Sequence, residues 1–292
     1  MWESIVLGLV QGLTEFLPVS SSAHLRIVGE LMGSSDPGAG FTAITQIGTE
    51  AAVVLYFRRD IARICVAWWR AVSGARGSSL AARLGRPVDG TPADHDALMA
   101  WFIALGSVPI VLLGLVFQDS IESTFRDLRL VALMLIVFGL VLGWADRVGR
   151  STKEVTDLDG RDAVLFGVAQ AMALVPGVSR SGGTISMGRF LGYTREAAAR
   201  YSFLLALPAV LGSGFFQLAK SLSDDPAPGS ASGAGTLVAT VIAFVVGYFV
   251  IIAFLKIVST FSYRGFVVYR IVVALIVFLL LAIGTLHAVP TA

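Results

Sequence analysis

A chain of 292 residues that is 55% hydrophobic, 14% charged and carries a net charge of +2 lacks the polar surface of a soluble globule, because ordinary soluble domains are about 25% charged. These values exclude a soluble enzyme, a disordered chain and an electrostatically driven nucleic-acid binder. The lone Cys65 excludes a disulfide scaffold and a cysteine-based metal site, and three scattered histidines (His24, His95, His287) argue against a histidine-cluster zinc site. What remains is an all-α integral membrane protein, read as one membrane domain over 1–292.

Taken in chain order, residues 1–31 are an apolar run interrupted by Pro18-Val19-Ser20-Ser21-Ser22. Each half falls short of the roughly 20 residues that a membrane crossing needs. Broken backbone at membrane depth survives only where protein or a wet cavity surrounds it, so this stretch reads as a re-entrant helical hairpin. Glu3 and Glu15 argue against a signal peptide. Segment 41–57 carries Thr42, Thr45, Gln46, Thr49 and Glu50 and reads as a span that faces protein or water. Residues 58–97 read as a cytoplasmic loop, with the Gly-, Arg- and Ser-rich part 73–92 flexible and placed to touch lipid headgroups. Spans follow at 98–118 and 130–145, which closes a first half over 1–145. The second half, 160–292, opens with another broken stretch, 163–192, interrupted at Pro176-Gly177-Val178-Ser179-Arg180-Ser181-Gly182-Gly183, again a re-entrant hairpin. Spans 199–219, 236–257 and 267–288 complete six, with an outer loop at 223–235. The runs are continuous rather than alternating, which disfavours a β-barrel.

Basic residues set the orientation. Loop 58–97 holds Arg58, Arg59, Arg63, Arg70, Arg76, Arg83 and Arg86; loop 146–162 holds Arg147, Arg150, Lys153 and Arg161; segment 256–270 holds Lys256, Arg264 and Arg270. Together with Arg189, Arg195 and Arg200 these put seventeen of the 22 basic residues on one side, which the positive-inside rule makes cytoplasmic, with both termini outside. Trp68, Trp69 and Trp144 fall near the predicted interfaces, as an aromatic belt requires. Gln11 to Pro18 with its serines parallels Gln170 to Pro176 with Val-Ser-Arg-Ser, at an offset near 159 residues. Three crossings separate the two, so the hairpins enter from opposite faces as an inverted repeat, whose sites lie near the midplane.

Chemistry gathers in the two breaks. Gln11 and Glu15 share a helix face that runs into Ser20, Ser21 and Ser22, with His24 beyond. Serine capping explains one hydroxyl there, but not a carboxylate, three hydroxyls and a histidine in an apolar hairpin. Arg180 offers a planar fork suited to phosphate. Ser179, Ser181 and Thr184 add hydroxyls, while Gly177, Gly182 and Gly183 let backbone amides approach an anion. A plain Arg180–Glu15 ion pair is the simpler alternative. Glu15 is suited to a divalent cation shared with phosphate oxygens, or to orienting His24 as acid, base or nucleophile. Gln46 and Glu50 repeat the Gln-x-x-x-Glu spacing, which makes Glu50 a candidate second metal carboxylate or a buried structural one. His95, between Asp94 and Asp96, and His287, in the tail, read as surface residues.

The stretches GLVQGLTEFLPVSSSAHL and LVPGVSRSGGTI resemble the two signature motifs of the bacterial undecaprenyl-diphosphatase family, the bacitracin-resistance membrane phosphatases. The resemblance extends over nearly the whole chain through span count, hairpins and repeat. It implies hydrolysis of a C55 polyprenyl diphosphate to the monophosphate, dependence on Mg²⁺ or Ca²⁺, and an active site opening to the outer face of the bacterial plasma membrane. By motif position it implies Glu15 as the essential carboxylate, Ser21 and His24 as the serine and histidine of the first motif, and Ser179, Arg180 and Thr184 as those of the second. Gln11 departs from members that have two glutamates, which leaves fewer metal-binding oxygens and raises interest in Glu50. The nucleophile is left open among Ser21, His24 and a water, with His24 favoured for proton handling, and a homodimer is left open as well.

Two other families use similar parts. The type 2 phosphatidate phosphatases need a Pro-Ser-Gly-His element and a histidine six residues beyond the arginine, whereas here the first motif reads PVSSSAH and position 186 is Ser. A flippase or secondary transporter of an anionic substrate shares the inverted-repeat architecture. A carrier of that kind releases no phosphate.

Overall fold

The computed structural model describes residues 1–33, 38–88, 90–122, 124–223 and 232–289. Helices α1 (Trp2–Thr14) and α2 (Ser21–Leu31) form the first hairpin, and α9 (Gly160–Ala171) and α10 (Arg180–Phe190) the second. Both were expected as re-entrant units, and both are broken where proline precedes a serine-led turn. Between them run α3 (Gly38–Tyr56), α4 (Arg58–Val72), α5 (Leu80–Arg83), α6 (His95–Val116), α7 (Gln118–Glu122) and α8 (Leu128–Val148), and after them α11 (Arg195–Ser223), α12 (Gly233–Thr260) and α13 (Arg264–Ala282). Side-chain caps start several of these helices, with Asp94, Asp127, Asp159 and Ser232 each accepting from a first-turn amide.

Five helices, α6, α8, α11, α12 and α13, are long and apolar enough to cross a membrane. The sixth expected span is α3, whose Gln46, Thr45, Thr49 and Glu50 leave it too polar to qualify on composition although it is 19 residues long. Its polar face turns inward: Thr45, Thr49 and Glu50 are fully buried. The outer surface is apolar, with Leu115, Leu140, Phe249 and Leu275 exposed, the inverse of a soluble protein and the expected arrangement for side chains that meet lipid. The protein is an all-α integral membrane protein.

The second hairpin repeats the first at a constant offset of 159 residues: Gln11 and Gln170 are both fully buried, Ser20 and Ser179 both precede the second helix, and α2 and α10 begin and end in register. Packing repeats as well. Helix α12 packs on α1 and α3 as α6 packs on α9 and α11, while α3 meets α11 and α8 meets α13. Gly8 and Gly167, also 159 apart, make these contacts: a Cβ at Gly8 would strike the Ala239 carbonyl, and one at Gly167 the backbone of Gly106. Small residues at such crossings let helices approach closely where no hydrophobic effect drives them together.

Two readings need correction. Segment 73–92 carries the short helix α5, and Arg76 binds Asp94 and the Pro92 carbonyl, so described residues of this stretch are held by hydrogen bonds rather than loose. Arg270, counted with the cytoplasmic arginines, lies inside α13 and is fully buried. The outer loop expected at 223–235 falls mostly on 224–231, outside the described residues. Other basic residues of these loops are ion-paired: Arg63 binds Asp96, Arg200 binds Asp60, Arg195 binds Asp146 and Lys153 binds Asp162. Both remaining histidines are exposed, and His287 meets Glu30. Trp144 and Trp69 are exposed, while Trp68 is half-buried against Trp101.

Candidate active site

The two breaks meet each other. Ser20, at φ 73, and Ser179, at φ 72, adopt the left-handed conformation that non-glycine residues seldom take. Ser179 caps its own helix by accepting from the Gly182 amide at 3.1 Å. Ser20 does not cap α2; its hydroxyl accepts from the Gly177 amide at 3.1 Å and so ties the first turn to the second. The serine cap considered for the first hairpin is therefore not made by Ser20, and a serine cap is found in the second hairpin instead. Strained backbone that persists in two equivalent places marks surroundings that over-determine it.

Around this junction four polar side chains converge on Glu15. Ser21 Oγ donates to Glu15 Oε2 at 2.6 Å, Gln11 Nε2 to the same oxygen at 2.7 Å, and Gln46 Nε2 to Oε1 at 3.3 Å. Arg180 Nη2 donates to Glu15 Oε1 at 2.6 Å and to Glu50 Oε1 at 2.9 Å. The ion pair considered from sequence exists, but it is not self-contained: Arg180 Nη1, Glu50 Oε2 and Gln11 Oε1 are buried atoms with no hydrogen-bond partner. Orphaned buried polar atoms are costly. Here the donor suits an anion and the two acceptor oxygens suit a hard cation.

Glu15, Ser20, Ser21, Ser22, Ser179 and Arg180 line one cavity of about 530 Å³, together with Gln46. Its upper walls come from the first half of α3 and the last halves of α6 and α11, so it occupies the half of the bundle away from the arginine-rich loops. Leu115 and Phe216, both exposed, line it, so large apolar side chains form part of its mouth.

Several expected site residues lie elsewhere. His24 does not line the cavity; its Nδ1 donates to the Ser20 carbonyl at 2.8 Å, its Nε2 pairs with the Tyr269 hydroxyl at 2.8 Å, and its ring stacks on that of Tyr269. Ser181 donates to the Leu17 carbonyl, and Thr184 is fully buried against Ser202 and the Arg180 carbonyl. The glycines serve packing rather than a ligand: a Cβ at Gly182 would meet Arg270 Nη1 at 2.9 Å, one at Gly183 the Ala169 carbonyl at 2.9 Å, and one at Gly177 the Val131 carbonyl.

Sequence reasoning missed the group that joins the breaks. Arg270 donates from Nη1 to the Pro18 carbonyl at 3.0 Å, from Nη2 to Gly177 and Val178 at 2.7 and 3.1 Å, and from Nε to Leu135 at 3.1 Å. No carboxylate pairs with it among these contacts; main-chain dipoles from both hairpins and α8 take up its charge. The signal available in sequence was its position as the fourth residue of the apolar run 267–288, which an end-of-span count assigns to the interface.

The family described as "Bacitracin resistance protein BacA" matches residues 4–276. The chain belongs to this family. It is 58% identical over 288 residues to the undecaprenyl-diphosphatase of Pseudarthrobacter chlorophenolicus, covering 98% of this chain and 99% of that one. It is also 58% identical over 287 residues to undecaprenyl-diphosphatase 2 of Agrobacterium fabrum (98% and 97% covered), and 52% identical over 289 residues to the undecaprenyl-diphosphatase of Bifidobacterium adolescentis (98% and 96%). The motifs that carry the resemblance in this BacA-family chain are the two turns that build the cavity floor.

A divalent cation has a fitting donor set here. The available oxygens are carboxylate and amide, hard donors suited to Mg²⁺ or Ca²⁺. Among the described residues no group of three or more His, Cys, Asp or Glu is arranged for a metal; the donors on offer are the oxygens of Glu15, Glu50 and Gln11.

Proposed function

We propose that this chain hydrolyses undecaprenyl diphosphate to undecaprenyl phosphate and inorganic phosphate, regenerating the lipid carrier for cell-envelope synthesis and so conferring bacitracin resistance. One observation carries the reading: Ser21, Glu15 and Arg180, drawn from two broken hairpins, meet at the floor of a cavity whose mouth is partly formed by large apolar side chains. The relatives named undecaprenyl-diphosphatase support the same reaction and do not favour a carrier.

The isoprenoid chain lies along the apolar wall near Leu115 and Phe216 while the diphosphate reaches the floor. Arg180, whose Nη1 has no protein partner, binds the terminal phosphate. Charge neutralisation of this kind is the main task in phosphoryl transfer. Ser21 Oγ, 2.6 Å from Glu15, attacks the terminal phosphorus as its proton passes to that carboxylate. The bridging P–O bond breaks and undecaprenyl phosphate leaves. A water that gives its proton to the regenerated Glu15 carboxylate then hydrolyses the phosphoserine to inorganic phosphate and free Ser21. His24 sits outside the cavity and acts by holding the Ser20 carbonyl, hence the turn that presents Ser21. Glu15, Glu50 and the Gln11 amide oxygen would hold the divalent cation, which when bound neutralises phosphate charge as a Lewis acid. The cavity faces the periplasmic side, since it lies opposite the arginine-rich loops.

The test is phosphate release from undecaprenyl diphosphate by the detergent-purified protein, with Mg²⁺, with Ca²⁺ and with chelator. Folded protein that releases no phosphate under any of these conditions would return the carrier reading.

A further inference from the structure

Resting on the diphosphatase reading, we infer that the backbone amides of Ser22 and Ala23, in the uncapped first turn of α2, bind the phosphoryl oxygens beside Ser21 and stabilise their charge during transfer. The first amides of a helix have no intrahelical acceptor, and a capping side chain ordinarily accepts from the second or third of them. The two breaks meet this need differently. In α10 the Ser179 hydroxyl accepts from the Gly182 amide, the third of that helix, at 3.1 Å. The equivalent amide of α2, 159 residues earlier, is that of Ala23. Ser20 stands where Ser179 stands, but no side chain caps α2, because the Ser20 hydroxyl accepts from the Gly177 amide instead. Among the described residues the amides of Ser21, Ser22 and Ala23 have no acceptor; the first amide of α2 that has one is His24, bonded to the Ser20 carbonyl at 3.2 Å.

Three features aim those amides at a ligand. Ser21 and Ser22 of the same turn line the cavity, while Ala23 is fully buried, where an unmet N–H is costly. Arg180 lines the cavity from the other hairpin, and its Nη1 is a buried donor with no partner. Ser21, the proposed nucleophile, opens the turn itself, so the phosphorus it attacks is brought to the amides that follow. A helix N-terminus favours anions through its free N–H groups and partial positive charge. As Ser21 Oγ bonds to the terminal phosphorus and the bridging P–O bond breaks, charge spreads over three equatorial oxygens. Arg180 and the divalent cation proposed at Glu15, Glu50 and Gln11 meet part of that charge. The amides of α2 add donors fixed in place, which need no reorganisation at the moment of reaction. One hydrogen bond therefore has two effects: Ser20 ties the hairpins together and, by turning away, leaves α2 open to phosphate.

The test is Ala23→lactic acid, introduced by nonsense suppression, which exchanges one N–H for an ester oxygen and keeps the methyl side chain. Phosphate release from undecaprenyl diphosphate is measured for the full-length protein in detergent with Mg²⁺. Melting temperature and inhibition by orthovanadate, a mimic of five-coordinate phosphorus, are measured beside it. The ester is expected to lower kcat about 10²-fold, the usual loss for one donor to a charged transition state, with KM little changed. Vanadate inhibition should weaken by a similar factor, and the melting temperature should hold, because this N–H makes no helical hydrogen bond. Wild-type kcat and wild-type vanadate inhibition in the folded ester protein would overturn the inference while leaving the diphosphatase reading intact. A lowered kcat with a lowered melting temperature and undiminished vanadate inhibition would make the amide structural, and would overturn it too. An inactive wild type would overturn the diphosphatase reading instead. If the Ala23 ester does not fold, Ser22→glyceric acid, which deletes the neighbouring N–H and keeps the hydroxyl, decides on the same readouts.

Discussion

At the scale of single residues the site is an economy of donors around one carboxylate. Glu15 accepts from Gln11, Ser21, Gln46 and Arg180, so its replacement disturbs the proposed nucleophile and the proposed phosphate binder together. Glu15→Gln is expected to lower kcat by about 10²–10⁴-fold, the span of a lost general base, and Ser21→Ala to do the same with KM little changed. Arg180→Ala is expected to cost about 10²–10³-fold or more in kcat. A malachite-green phosphate assay on folded protein checks all three, and near-normal turnover in any of them removes that residue from the scheme. In the proposed scheme His24 behaves differently, since it contacts the Ser20 carbonyl and not the cavity. Tyr269→Phe deletes one hydrogen bond to His24 and should cost roughly tenfold at most; a loss as large as that of Ser21→Ala would place the histidine–tyrosine pair in the chemistry itself.

At the scale of elements, two turns that neither helix pair could hold alone are held by a third element. Arg270 of α13 clamps carbonyls at Pro18, Gly177 and Val178 without touching the cavity. Arg270→Met would leave those buried acceptors unpaired, at about 1–3 kcal/mol for each group. It is expected to lower the melting temperature sharply in a fluorescence-detected thermal assay and to abolish turnover. Gly177 stands at φ 97 with its missing Cβ against the Val131 carbonyl. Gly177→Ala is therefore expected to destabilise by about 1–3 kcal/mol, whereas alanine at exposed Gly265, which faces open space, should be nearly neutral.

At the scale of the whole molecule, the repeat at 159 residues brings the two broken turns together through Ser20 and Gly177, while the arginine-rich loops lie at the end of the bundle away from the cavity. That end carries Cys65, the chain's one cysteine, exposed on α4. The positive-inside argument predicts that a membrane-impermeant maleimide leaves Cys65 unlabelled in intact cells and labels it in inside-out vesicles; the reverse pattern would invert the whole topology and turn the cavity to the cytoplasm.

Much of this was legible in the residues. Composition excluded a soluble fold, prolines with serines located both breaks, and the 159-residue echo between them announced the repeat. Glu15, Ser21 and Arg180 stood out because polar groups are rare and costly in apolar segments. Those conclusions depend on local chemistry, which a sequence carries in full. Other features depend on which faces meet. Only the folded chain showed that Ser20 bridges the hairpins while Ser179 caps its helix, that His24 turns toward Tyr269, and that the glycines serve packing. The same holds for Arg270, which charge counting placed at the interface and packing drew into the centre. The physical reason is that a turn's role is set by the backbone groups that a distant helix brings to it, and Pro18 and Arg270 lie 252 residues apart.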